Sequence, residues 1–101
     1  VSHRLAERRS IELHRIVARR IVEDPVVLDR ARARVATWLQ EGGPVDAARA
    51  ERWARLLDGP VDEVLRELVL DTPDACDLRQ VTPFAGVVDS RERWRILREV
   101  G

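Results

Sequence analysis

Residues 60–69 read Pro-Val-Asp-Glu-Val-Leu-Arg-Glu-Leu-Val, and their spacing decides the fold class. Val61, Val64, Leu65, Leu68 and Val69 fall at i, i+3, i+4, i+7 and i+8, the apolar face of an α-helix. Pro60 suits a helix start, and Asp62 and Glu63 sit in the first turn, where the helix dipole favours acids. The segments on either side repeat the same period between Pro and Gly punctuation. Upstream, a helix is expected from about Ser2 to Glu23, ended by Pro25 because a residue before proline is pushed out of the α region. Its apolar face is Leu5, Leu13, Ile16, Val17 and Ile21, with Ile11 and Val22 lying away from it. Such a second flank implies two neighbours, so this helix is expected at a subunit contact, with a second copy or with another protein.

Asp24-Pro25 reads as an N-cap and first position of the next helix, which runs to about Gln40 with Leu28, Ala31, Val35, Trp38 and Leu39 on one face. Gly42-Gly43 ends it. A third helix is expected from about Pro44 to Leu57, with Val45, Trp53, Leu56 and Leu57 inward. After residues 60–69, Thr72-Pro73 opens a short helix that ends near Gln80. Residues 81–88 read as extended chain or a turn. Asp89 with Glu92 resembles a capping box, with Ser90 as the rival cap, before a last helix of about Arg91 to Val100 whose apolar side is Trp94 and Leu97. The expectation is one all-α domain over 1–101, a compact bundle of five to six short helices. Residues 1–79 form its body, and 80–101 form a partner-facing segment and last helix.

Composition bounds the function. The chain has 101 residues, 45% apolar and 36% charged, too apolar for a disordered chain and too charged for a membrane protein. No apolar run approaches the roughly 20 residues that span a bilayer. All 18 basic residues are arginine, and Asn, Met and Tyr are absent, a bias expected of a GC-rich bacterial genome. Eighteen acids balance the arginines, which argues against a simple polycation. The balance is uneven. Residues 1–34 carry nine Arg against five acids, net +4; residues 41–78 carry four against ten, net −6; residues 79–101 carry five against three, net +2. Opposed segments of this kind attract each other within a fold or meet a partner of the opposite pattern. The single cysteine, Cys76, excludes an internal disulfide, and with no signal-peptide pattern the expected location is the cytoplasm. Asp74 and Asp77 beside Cys76 disfavour its thiolate as a nucleophile.

Sites for chemistry are scarce. His3 and His14 are not at the i, i+4 spacing of a helical zinc pair, so no metal and no cofactor are expected. There is no glycine-rich phosphate loop and no serine in a nucleophile elbow; Ser2 and Ser90 suit helix caps. The carboxylates mostly alternate with Arg, as on solvated faces. An enzyme is therefore not expected. Arg4, Arg8, Arg15 and Arg19 fall within about 60° of one another on the first helix, a stripe that fits a phosphate backbone. Glu12 interrupts the stripe, and the Asp24-Pro25 junction is not a recognition-helix turn. A DNA-binding regulator is thus the alternative reading, with nucleic-acid contact by those four arginines.

The richest stretch is Leu78-Arg-Gln-Val-Thr-Pro-Phe-Ala-Gly-Val-Val-Asp-Ser-Arg-Glu-Arg-Trp94. Phe84, the only phenylalanine, sits between Pro83 and Ala85-Gly86, and Arg91, Arg93, Arg95 and Arg98 follow around Trp94. A rigid aromatic on a loop of small residues suits an interface anchor, or a plug for the open end of the bundle. The pattern LRQ-x-[ST]-P-F-A-G-V followed by Glu-Arg-Trp resembles the C-terminal signature of small actinobacterial and proteobacterial proteins of type II toxin–antitoxin pairs. RRSIELHRIVARRIVEDPVVLDRARARV and LLDGPVDEVL are similar to that group as well, so the resemblance covers most of the chain. It implies an antitoxin that binds and neutralises a toxin enzyme, of nucleotidyltransferase-like type, by protein–protein contact. The implied contact residues are Phe84, Gly86, Arg91, Trp94 and Arg95, with Phe84 filling a pocket and Arg91 and Arg95 facing carboxylates.

Overall fold

The structure is a computed structural model that describes residues 2–43 and 45–100, with side chains from Arg4 onward. The readings that fall on the side chains of Ser2 and His3 and on Pro44 lie outside the described residues. Six helices follow in order among the described residues: α1 (Ser2–Glu23), α2 (Val26–Glu41), α3 (Ala47–Asp58), α4 (Val61–Leu68), α5 (Pro73–Arg79) and α6 (Ser90–Val100). The fold is all-α, as the helical period implies.

α1 is the spine. It touches α2, α4, α5 and α6, while α2 and α3 form the most extensive pair. Leu5 and Leu13 are half-buried, Ile16, Val17 and Ile21 are buried, and so is Ile11, which the wheel had set apart. Val22 alone among the large apolar side chains described on α1 stays exposed, at 70%. Of the second apolar flank, Ile11 is thus covered by the chain itself and Val22 stays open. The apolar surface that α1 leaves open for a second copy or another protein is therefore smaller than its sequence implies.

Local signals explain most boundaries. The Asp24 carboxylate accepts from Val26 N at 3.1 Å, and Pro25 is already helical (φ −60°, ψ −18°), as a proline at the first position should be. Gly42, with φ 72°, takes the left-handed turn that a side chain would resist, and its N–H donates to Trp38 O. α3 starts later than Pro44. The Asp46 carboxylate accepts from Arg49 N, so the first helical residue is Ala47 and Val45 stays outside. Thr72 caps α5 through Ala75 N, with Pro73 at the first position. At α6, Asp89 accepts from Glu92 N at 2.9 Å. Only half of the capping box forms, because the Glu92 carboxylate turns to Arg20 instead.

The core joins all six helices. Ala50, Trp53, Leu57, Val64 and Leu68 are at most 1% exposed. Leu28, Ala31 and Val35 are buried on α2, whereas Trp38 is half-buried and Leu39 exposed. In α4, Val64 and Leu68 are inward, Leu65 and Val69 flank them, and Val61 in the first turn is exposed. Trp53 Nε1 donates to Leu78 O at 3.1 Å, satisfying the one polar atom of its buried ring. Residues 80–89 form consecutive turns, and their Phe84 and Val88 belong to the same core. The expected partner-facing segment is therefore half core. Its turns seal the bundle with Phe84 and Val88 while Ala85, Gly86 and the outer face of α6 stay exposed.

Candidate partner-binding site

Phe84 is 3% exposed, and its ring meets Trp53 edge to face, with centroids 5.9 Å apart at 73°. It sits in the core as a plug, so its ring offers almost no surface to another protein. The turn that carries it is pinned by a directed chain of hydrogen bonds. Phe84 N donates to Thr82 Oγ1 (3.2 Å), the Thr82 hydroxyl lies 2.9 Å from His14 Nε2, and His14 Nδ1 lies 2.7 Å from Ser10 O. Ser10 O can only accept, so Nδ1 carries the proton and Nε2 accepts from Thr82. The imidazole must be neutral to do this. Burial pushes its pKa down to about 4, opposed by the Ser10 carbonyl and helped by the nearby Arg79 charge. Sequence reading gave His14, Ser10 and Thr82 no joint role, since the pair that mattered spans 68 positions and leaves no local spacing.

α6 turns the other way. Ile96 is buried and Leu97 and Val100 are half-buried, so the inward face is centred on Ile96 rather than on Trp94. Trp94 lies about 160° round the helix from Ile96 at 100° per residue, and it is 65% exposed. Arg98, Arg91 and Arg95 continue that outer face, so the four side chains share an arc of about 100°. All are exposed, and none of the three arginines pairs with a carboxylate among the described residues.

Gly86 does not join them. It has φ 90°, reverses the turn after Phe84, and lines a separate hollow with Arg20, Arg30 and Arg34, where Arg34 donates to the Pro83 and Ala85 carbonyls. Of the five expected contact residues, the structure therefore groups Arg91, Trp94 and Arg95, buries Phe84 and sets Gly86 apart.

The α1 arginine stripe is partly neutralised. Arg4 grips Asp71 through two bonds of 2.9 and 2.7 Å and also reaches Glu7, and Arg15 pairs with Glu12 at 3.2 Å. The Arg4 guanidinium holds the Asp71 carboxyl below the usual range. Arg8 and Arg19 are exposed. One group with metal-ligand geometry occurs among the described residues: Glu7, Asp71 and Cys76 place ligand atoms within 4.8 Å of one another. Arg4 already bonds both carboxylates, and Arg79 Nη2 donates to Cys76 Sγ at 3.2 Å, so these atoms serve guanidinium groups. No helix among the described residues is long and apolar enough to cross a membrane. Comparison with protein-family models, with curated proteins and with solved structures returned no match.

Proposed function

We propose that the chain is an antitoxin-like binding protein that neutralises a toxin enzyme through the outer face of α6. The observation that carries this reading is Trp94, a large aromatic left 65% exposed among arginines that have no acidic partner among the described residues. A solvated tryptophan contributes little to the fold, whereas Trp and Arg are the side chains that most often dominate binding energy at interfaces. Arg91 and Arg95 beside it suit an acidic surface, such as the carboxylates that hold metal in a nucleotidyltransferase-like toxin. Covering such carboxylates blocks the toxin sterically and by charge. The DNA-binding alternative draws less support, because Arg4 and Arg15 are already paired with acids and the remaining cations of the stripe are few.

The test is co-expression with the product of the neighbouring reading frame. That product should arrest growth, this chain should relieve the arrest, and Arg91→Glu combined with Arg95→Glu should restore it while the helical spectrum stays unchanged. A neighbour that does not arrest growth, or a double variant that still neutralises, overturns the reading.

A further inference from the structure

A cleft of about 470 Å³ opens between α1, α6 and the 80–89 turns, within the size range of small-ligand pockets. Its polar wall is Arg9, Ser10, His14, Arg79, Thr82 and Arg93, with no carboxylate among the lining residues. Three arginines therefore line one cavity. Arg79 is 3% exposed, yet its bonds go to neutral acceptors: the carbonyls of Glu67, Leu68 and Leu70 and the Cys76 sulfur. The nearby carboxylate, Asp71, is bonded to Arg4. Arg9 donates to Leu97 O at 3.1 Å, and the Nε atoms of both Arg9 and Arg79 are buried with no partner among the described residues. Arg93 is exposed at the mouth and has no ion pair among the described residues. Arg79 is thus engaged by the carbonyls at the end of α4 and by the charge of Asp71, which leaves Arg9 and Arg93 as the cations the cleft offers a ligand.

The rest of the wall is apolar: Leu13, Val17, Phe84, Val88 and Leu97. We propose that this cleft is a binding site for an amphiphilic monocarboxylate, whose acid group meets Arg93 and Arg9 at the mouth and whose apolar tail lies on the Leu13, Val17, Val88 and Leu97 surface. The combination selects the class. A bare inorganic anion would leave the apolar wall unused, and a neutral lipid would leave the arginines unmatched. The site is on the inner side of α6, away from the Trp94 face, so it stands independently of the toxin-binding reading.

The probe is decanoate, titrated calorimetrically into the full chain, with decanol as its uncharged counterpart. Decanoate should bind one to one and raise the melting temperature. Decanol should bind at least about tenfold more weakly. Arg93→Gln, which removes an exposed side chain and should keep the helical spectrum and melting temperature, should weaken decanoate by about tenfold or more, and Arg93→Lys should restore part of the loss. No decanoate binding at millimolar concentration overturns the proposal. So does equal binding of decanol, and so does an Arg93→Gln chain that binds decanoate as the wild type does.

Discussion

Phe84 and Trp94 stand ten positions apart in one C-terminal stretch and have opposite fates. Phe84, on a loop that suits either an anchor or a plug, is buried against Trp53; Trp94, on a regular helix, is exposed. The difference has two physical causes. The Phe84 turn is tied down by the Thr82 hydroxyl and a buried neutral histidine, which together satisfy a backbone N–H that would otherwise be orphaned. Trp94 is set outward by geometry: once Ile96 is inward, a residue two positions earlier must face roughly the other side. Burial of one aromatic serves the fold and leaves the other open to solvent.

Substitutions test that contrast. The largest effect is expected at Phe84. Phe84→Ala opens a cavity beside Trp53 and should lower stability by about 3–5 kcal/mol in a denaturant titration. A loss under about 1 kcal/mol would mean that Phe84 is not the seal of the bundle. Next comes the histidine beneath it. The folded-state pKa is about 4 and the ordinary value 6.5, so the unfolded chain binds more protons between them. Stability from this group is complete above about pH 6.5 and is lost as pH falls toward 4, by roughly 3 kcal/mol in total. His14→Gln keeps a donor and an acceptor but has no such titration, and should flatten this part of the pH profile. An unchanged profile would mean that His14 is not buried neutral. The acids paired with arginine, Asp46, Asp71 and Asp77, have depressed pKa values and lose their contribution only at lower pH, as they protonate. The smallest effect belongs to the exposed Arg4–Asp71 pair. Arg4→Gln should leave the melting temperature almost unchanged, since solvent screens such pairs. A large drop would show that α1 depends on this clasp.

The helices were legible because each carries its own period and most carry their caps: Thr72, Asp24 and Asp89 act as their chemistry dictates. Pro44 misled because a proline at a helix start competes with a carboxylate two residues later, and Asp46 wins by bonding Arg49 N. Trp94 and Leu97 read as the apolar side of α6 because they lie three positions apart on one face. The burial of Ile96 depends on the α1 surface it meets, which no local pattern encodes. The same holds for the site. The exposed arginines of α6 could be named from sequence, but the Arg9–Arg79–Arg93 cleft and the His14–Thr82 bond join residues far apart in the chain.

The central claim, that the outer face of α6 binds while the turn before it folds, is tested most directly by Trp94→Ala in paired measurements of thermal melting and toxin neutralisation. The account predicts stability within about 0.5 kcal/mol of wild type, as for a surface change. It predicts affinity for the toxin lowered by at least about 2 kcal/mol, roughly thirtyfold, with loss of neutralisation. A Trp94→Ala chain that melts as the wild type does and neutralises a verified toxin equally well would contradict it.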